Sequence, residues 1–341
     1  MTQPSSSVKA LRRSAFGLAL PLLFALSLPL AGCGSTQAHG SLPQLTVGLT
    51  YVPDVQFAPF YVADALGYYR DAGITVHLRH GIETNEFALL AAGKEDAIFA
   101  GGDEAMEARS ASGLDLRDVA TVFQKYPVAL IVPATSSIRT AADLRGHTIG
   151  VPGHYGQTYT GLLALLHSAG LSTADVTVQD IGFTQIAALV SHRVDAVMGY
   201  ANNEPVQLQL QGVAIRTLNV WQAQPLISNG IVVLQGELRN HPAAVRALVS
   251  ATLRGVQYAS AHPADAVRLS KAYIPTLNTA ASQANALAVL QATIPLWQGA
   301  SKPGYNDPAA WQSMATFLAS AGLMKGAVDA KQLYSNDYLP A

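Results

Sequence analysis

A dense group of polar residues follows an apolar run in the middle of the chain, in the segment "VDAVMGYANNEPV". Asn202, Asn203 and Glu204 come directly after the run, and Pro205 follows them. Side-chain amides both donate and accept hydrogen bonds and a carboxylate accepts them, so this group could hold a polar small molecule. The same residues also suit a polar turn, because asparagine tolerates left-handed backbone and proline ends a strand. Residue types alone leave both interpretations open.

The residues that catalysis or metal binding would require are sparse in this sequence. The nine histidines show no metal-binding spacing, and His77 and His80 would point to opposite faces of a strand. The chain has neither a His-Glu-x-x-His motif nor a Gly-x-Ser-x-Gly turn, and Cys33 is its single cysteine. The glycines of "GVPGHYGQTYTG" match neither a phosphate-binding loop nor a dinucleotide fingerprint. We therefore expect no catalytic residue, no metal site and no cofactor.

Strand and helix patterns alternate around these polar residues from Leu45 onward. "LTVGLTYV" predicts a strand, the spacing of Val62, Leu66 and Tyr69 predicts a helix, and "ITVHL" predicts a half-buried strand. The order restarts at "HTIGVPG", and beyond about Arg239 the pattern is mainly helical. This order predicts two α/β lobes, each with a mostly parallel sheet covered by helices, and a helical C-terminal tail.

Polar clusters fall where the predicted strands end. Asp54-Val55-Gln56 follows the first strand, and Gly101-Gly102-Asp103 follows the third. In the second lobe, "PGHYG" and "NNEP" each follow a strand. Ligands of open parallel sheets bind beyond the carboxyl ends of the strands, so these clusters predict a ligand site there.

Length and composition narrow the class of protein. The 341 residues suffice for two ordinary domains with a large core, and half of them are hydrophobic. The net charge is −1 and only 13% of residues are charged, which argues against nucleic acid as a partner. The sequence shows no internal repeat.

The N-terminus has the pattern of a secretory signal. A basic segment precedes the apolar stretch "SAFGLALPLLFALSLPLAGC", which is short for a transmembrane helix and ends at Cys33. Its last four residues resemble a bacterial lipobox, which implies removal of residues 1–32 and a lipid anchor at Cys33. Residues 33–43 then predict a flexible tether. The alternative is a signal peptide with an incidental cysteine.

Three segments together carry a resemblance to a known family. "PDVQFAPFYVADALGYYRDAGITV", "AADLRGHTIGV" and "ALVSHRVDAVMGY" resemble the bacterial ABC-importer solute-binding proteins for thiamine-pyrimidine precursors or alkylsulfonates. The resemblance covers about residues 44–275 and implies a type II periplasmic-binding fold, in which two lobes close on a ligand like a hinged clamp. Lobe 1 would comprise residues 44–131 and 225–341, and lobe 2 residues 132–224. We then expect an extracytoplasmic monomer, anchored to the membrane, that delivers its solute to an ABC permease.

The resemblance also points to candidate ligand-binding residues, which combine aromatic rings, amides and a carboxylate. They are Gln56, Phe57, Phe60, Tyr126, Tyr155, Tyr200, Asn202, Asn203 and Glu204. Such a set suits a flat heterocycle, since rings stack on aromatic faces and polar groups read the ring edge. By resemblance, Glu204 would bind the amino group of an aminopyrimidine, whereas the asparagines would suit the pyrimidinedione edge of riboflavin. An alkylsulfonate is the third candidate.

Less specific interpretations remain for several of these residues and for the function. Phe57 and Phe60 could share a helix face in the core, Tyr126 could be a buried structural tyrosine, and Tyr155 could simply lie in a tight turn. The family also contains the fungal enzyme that makes the thiamine pyrimidine, but that enzyme carries a Cys-Cys-Cys-Phe-Cys segment that this chain lacks. A ligand-sensing domain is a further alternative, disfavoured by the resemblance to a lipobox and because the sequence shows no kinase, DNA-binding or cyclase segment.

Overall fold

The computed structural model describes residues 42–81, 83–299 and 301–341. The predicted signal peptide, Cys33 and most of the predicted tether lie outside the described residues. Within the described part of the chain, no helix is both long and apolar enough to cross a membrane.

Ten strands and thirteen α-helices are present in the described residues. The strands are β1 (Gln44–Leu49), β2 (Thr75–His80), β3 (Ala97–Gly101), β4 (Leu116–Thr121), β5 (Val128–Pro133), β6 (Thr148–Val151), β7 (Thr177–Asp180), β8 (Ala196–Tyr200), β9 (Ile215–Asn219) and β10 (Asn229–Leu234). The helices are α1 (Ala58–Ala65), α2 (Tyr68–Asp71), α3 (Glu83–Ala91), α4 (Gly102–Ser112), α5 (Gly156–Ser168), α6 (Gln185–Val190), α7 (Glu204–Leu210), α8 (Val220–Ala223), α9 (Gln235–Asn240), α10 (Pro242–Ala261), α11 (Pro263–Ser270), α12 (Ala280–Trp297) and α13 (Pro308–Ser320).

The strands form two five-stranded sheets. The first sheet has the order β2-β1-β3-β10-β4 and the second has the order β7-β6-β8-β5-β9. β1 pairs in parallel with β2 and β3, and β6 pairs in parallel with β7 and β8. The predicted α/β architecture with mostly parallel sheets and a helical C-terminal part is therefore confirmed.

One strand in each sheet runs against its neighbours. β10 is antiparallel to β3 and β4, and β5 is antiparallel to β8 and β9. Each of these strands follows a passage from the other sheet, which contains the short α8 in the case of β10, rather than a helical crossover within its own sheet, the connection that makes consecutive strands parallel. Sequence periodicity shows the strands but carries no information about this reversal.

The chain passes between the sheets twice. β4 ends at Thr121 in the first sheet and β5 begins at Val128 in the second, so the first passage is residues 122–127. The predicted boundary between residues 131 and 132 therefore falls inside β5 and is corrected to this passage. The second passage lies between Asn219 and Asn229 and contains the predicted boundary at 224/225. Below, lobe 1 denotes residues 42–121 and 229–341, and lobe 2 denotes residues 128–219.

The core of lobe 1 is built where α1 lies against α10. Tyr61 and Val62 of α1 are buried, as are Leu248 and Val249 of α10. The two helices approach closely at Gly255, where an added Cβ would lie 2.1 Å from the carbonyl oxygen of Pro59. This packing fixes the start of α1 and the short 3-10 turn before it, Val55–Phe57, beside the end of β1.

Candidate functional site

A cleft lies between the lobes at the ends of the strands. Its lining is Thr50, Tyr51, Gln56, Phe57, Phe99, Phe123, Pro152, Gln157, Thr158, Phe183, Gln185, Tyr200, Asn203, Glu204 and Asn229. Most of these residues follow a strand or begin a helix, which is where an open α/β sheet places its ligands. We call this space the inner cleft.

Aromatic rings from lobe 1 form one wall of the inner cleft. Phe57, in the 3-10 turn after β1, meets Phe99 of β3 edge-to-face, with ring centroids 6.0 Å apart. Phe123, just beyond β4, lies 6.1 Å from Phe99. These three side chains are buried, so the wall offers apolar ring surface on which a planar ligand can pack.

The rim of the inner cleft is closed by a contact between the lobes. Tyr51 follows β1 and Phe183 follows β7, and their ring centroids are 5.7 Å apart. The inner cleft has a cavity volume of about 60 Å³. A cavity that holds one benzene molecule measures about 150 Å³, so a ring system can enter only if the lobes or their side chains move apart.

A hydrogen-bond network holds the amide of Gln157 at the N-terminal turn of α5. The hydroxyl of Tyr200 donates to Gln157 Oε1 over 2.6 Å, and Gln157 Nε2 donates to Asp103 Oδ1 over 3.5 Å. The hydroxyl of Tyr126 donates to Asp103 Oδ2 over 2.6 Å, and its oxygen also lies 3.1 Å from the Gln157 carbonyl oxygen. The network joins α4 of lobe 1 to α5 and β8 of lobe 2, and it fixes the donor and acceptor ends of Gln157.

Glu204 is the single carboxylate among the lining residues of the inner cleft. It begins α7, and its Oε2 accepts a hydrogen bond of 2.8 Å from the Tyr200 backbone N–H. A Cβ at Gly199 would lie 2.9 Å from the same oxygen, so glycine leaves the space that the carboxylate occupies. Burial raises the pKa of Glu204 to about 7, with a smaller contribution from the negative charge of Asp54 and opposing hydrogen bonds from backbone N–H groups.

Five of the nine residues predicted to bind ligand line the inner cleft. They are Gln56, Phe57, Tyr200, Asn203 and Glu204. They come from both lobes, and their contact with a ligand remains a prediction. In addition, the side-chain oxygen of Asn203 accepts a hydrogen bond from Gln207 one turn along α7.

The other four predicted residues do not line the inner cleft. Phe60 lies in the core of lobe 1, because the start of α1 turns it inward onto Phe99, with ring centroids 5.0 Å apart. Tyr126 is buried behind Gln157 and supports it. Tyr155 is exposed at the start of α5, where its ring lies against Gly153.

Asn202 is turned away from the inner cleft toward lobe 1. Its Nδ2 donates to Thr293 Oγ1 of α12 over 2.8 Å, and the Thr293 hydroxyl donates in turn to the Val289 carbonyl oxygen. Asn202 and Thr293 are fully buried, and Asn202 Oδ1 has no hydrogen-bond partner. The four residues from Tyr200 to Asn203 therefore serve two purposes, since Asn202 joins the lobes while Tyr200 and Asn203 face the cleft.

The ten remaining lining residues were not among the nine candidates named from the sequence. These are Thr50, Tyr51, Phe99, Phe123, Pro152, Gln157, Thr158, Phe183, Gln185 and Asn229. Thr50 and Pro152 directly follow the observed strands β1 and β6, and Phe123 lies two residues beyond β4, so the strand-end rule applied to these observed bounds would find them. Phe99 gave no such signal, because it lies within the apolar strand β3.

Metal ligands are not grouped in the described residues. No cluster of three or more His, Cys, Asp or Glu side chains there is arranged to hold a metal ion. The lining of the inner cleft offers aromatic surface, amides and one carboxylate, and it carries no fixed positive charge. This combination can bind a neutral planar molecule.

Comparison with known proteins places the chain among proteins of this architecture. Riboflavin-binding protein RibY of Chloroflexus aurantiacus is 38% identical over 312 residues, which cover 89% of this chain and 88% of the relative. A 4-amino-5-hydroxymethyl-2-methylpyrimidine phosphate synthase of Legionella pneumophila is 24% identical, covering 87% and 92% respectively.

A solved structure shows the same fold. The periplasmic aliphatic sulphonate binding protein SsuA of Escherichia coli superposes with a TM-score of 0.68 at 16% identity, covering 86% of this chain and 92% of that chain. This match confirms the predicted type II periplasmic-binding fold. A family model described as "NMT1/THI5 like" matches residues 54–266, which is more than half of the chain. The chain therefore belongs to the NMT1/THI5-like family.

Proposed function

We propose that this chain is the solute-binding component of an ABC importer and that its inner cleft binds riboflavin. The observation that carries the proposal is the composition of the lining. It has six aromatic residues, five side-chain amides and one carboxylate, and it contains neither Lys nor Arg. The 38% identity to a protein named for riboflavin binding supports the same ligand.

The aromatic and amide groups match the two features of an isoalloxazine. Its three fused rings are flat and apolar, and they can pack against Phe57, Phe99 and Phe123. Its pyrimidinedione edge carries one N–H between two carbonyl groups, which needs both donors and acceptors. Asn203 and Asn229 provide both kinds of group in one side chain.

An aminopyrimidine is the second candidate, and Glu204 is the observation that favours it. A carboxylate accepts hydrogen bonds from an exocyclic amino group. Burial raises the pKa of Glu204 to about 7, so near neutral pH part of the population is protonated and presents one donor beside its remaining acceptor oxygen. This protonation weakens the case for an amino group and is compatible with a ring carbonyl.

An alkylsulfonate fits the lining least well. The first turn of α5 contributes backbone N–H groups that could bind an anion. No side chain in the lining carries a fixed positive charge, however, and the Glu204 carboxylate would repel a sulfonate.

We further propose that the chain binds its ligand without changing it. None of the lining residues is Cys, Ser, Lys or His, and the groups that remain for nucleophilic attack or proton transfer are one carboxylate and the hydroxyls of two threonines and two tyrosines. The proposed mechanism is closure of the two lobes, followed by delivery to a permease. Lipid attachment at Cys33 would hold the protein outside the cytoplasmic membrane.

Thermal unfolding of the purified chain with a ligand panel tests the proposal. Riboflavin, an aminopyrimidine, thiamine and an alkanesulfonate would be compared at equal concentrations. A ligand raises the unfolding temperature by binding the folded state, and the rise grows with ligand excess. We expect the largest shift with riboflavin, recovered chemically intact. A shift with the sulfonate alone would contradict the heterocycle proposal, and conversion of the ligand would contradict the absence of catalysis.

A further inference from the structure

A second chamber opens outward from the inner cleft and is lined mainly by α6 and α7. It has a cavity volume of about 650 Å³, far larger than that of the inner cleft. We call it the outer chamber. The two spaces share the lining residues Tyr51, Phe183, Gln185, Asn203 and Glu204. Because they meet at these side chains, one molecule can extend from the inner cleft into the outer chamber.

The outer chamber differs from the inner cleft in its chemistry. Apart from the shared residues, its polar lining consists of the hydroxyls of Thr184 and Ser191 and the amides of Gln207 and Gln211. Both hydroxyls donate to backbone carbonyl groups of their own turns, which directs their oxygen lone pairs outward as acceptors. Hydroxyl and amide groups together suit a flexible chain whose members both donate and accept hydrogen bonds.

The outer chamber also lacks a positive charge. Its lining contains no Lys, Arg or His, and Glu204 at its inner end is its sole carboxylate. A phosphate monoester carries a charge of roughly −1.5 to −2 at neutral pH and would meet no cation here. An uncharged tail incurs no such cost.

We propose that the outer chamber is the subsite for an uncharged polyhydroxylated tail attached to the ring that the inner cleft holds. This inference rests on the proposed function, since it requires a flavin ring in the inner cleft. The outer chamber would then bind the ribityl chain of riboflavin, and the phosphorylated form of riboflavin would be a poor ligand.

Three flavins that share one ring system test the inference by fluorescence titration of the purified chain. Lumiflavin has a methyl group where riboflavin has its ribityl chain, and flavin mononucleotide adds a phosphate to that chain. We expect riboflavin to bind about tenfold more tightly than lumiflavin, which corresponds to one or two net hydrogen bonds, and more than tenfold more tightly than flavin mononucleotide. Equal affinity for riboflavin and lumiflavin would overturn the tail subsite. Tighter binding of the phosphorylated form would overturn its neutral character, and failure of all three flavins to bind would contradict the proposed function itself.

A variant pair assigns the effect to the outer chamber. The substitution Gln211→Met removes one amide of the outer chamber at nearly constant volume, and it leaves in place Gln207, which donates to Asn203 of the inner cleft. We expect it to weaken riboflavin binding several-fold and to leave lumiflavin binding unchanged. Gln209→Met, on the same helix but outside the lining, is the matched control and should change neither. An equal loss for riboflavin and lumiflavin would show that the Gln211 amide supports the ring site rather than a tail.

Discussion

The carboxyl group of Glu204 is the most consequential single group in the cleft, because it is buried where a charge is costly. Its relative exposure is 9%, and burial raises its pKa from 4.5 to about 7. Hydrogen bonds from the backbone N–H groups of Tyr200 and of Glu204 itself offset only part of this cost. The protonation state that a ligand meets therefore changes within the physiological pH range.

This burial has a direct consequence for stability. Between pH 4.5 and 7 the unfolded chain loses the Glu204 proton while the folded chain keeps it, so the free energy of unfolding falls as pH rises through this window. In Glu204→Gln this contribution is absent. We expect the wild type to lose roughly 2–3 kcal/mol relative to the variant between pH 4.5 and 8, measured by urea unfolding at each pH. Parallel stability profiles would show that Glu204 ionises as freely in the folded protein as in the unfolded chain.

The connection between β8 and α7 shows how far sequence can predict a site. The strand-end position of "NNEP" correctly indicated a polar group beside the cleft, because strand ends are readable from periodicity. It could not separate Asn202 from Asn203. That separation depends on α12, which lies some ninety residues further along the chain and packs against one side of the turn. The sequence likewise could not tell that Phe57 lines the cleft whereas Phe60 lies in the core. That difference depends on the direction in which α1 starts, which is fixed by the distant helix α10.

At the scale of these elements, the hydrogen bond between Asn202 and Thr293 should couple α7 to α12. We expect a double-mutant cycle of Asn202→Ala and Thr293→Val to give a coupling energy of about 1 kcal/mol in the free energy of unfolding. The single Asn202→Ala change should cost little, because it also removes the unpartnered Oδ1. Strictly additive effects would mean that the contact between the helices does not depend on this bond.

The whole molecule must open for the proposed ligand to enter. The contact between Tyr51 and Phe183 closes the rim, and the inner cleft is too small for three fused rings. The two passages between the sheets, at residues 122–127 and between Asn219 and Asn229, are the segments about which the lobes can rotate. Composition and periodicity could predict two lobes. They could not predict the size of the cleft, because that size depends on a contact between residues of different lobes, Tyr51 and Phe183.

Spin labels on the two lobes would measure this motion. Val52 and Leu210 are about half exposed, on lobe 1 and lobe 2 respectively, and can be replaced by cysteine in a Cys33→Ser background. We expect a broad distribution of distances between the labels without ligand, because the lobes then move freely, and a single narrow distribution with riboflavin. Identical distributions in both conditions would argue that the cleft accommodates ligand by side-chain movement alone.

Titration of purified protein into riboflavin, followed by the riboflavin fluorescence, measures whether this chain binds one riboflavin in the inner cleft. We expect saturable quenching at one riboflavin per chain, with binding weakened several-fold in Tyr200→Phe, which removes the hydroxyl that orients Gln157. An absence of saturable binding to riboflavin, together with saturable binding of an aminopyrimidine or an alkanesulfonate to the same preparation, would contradict this expectation.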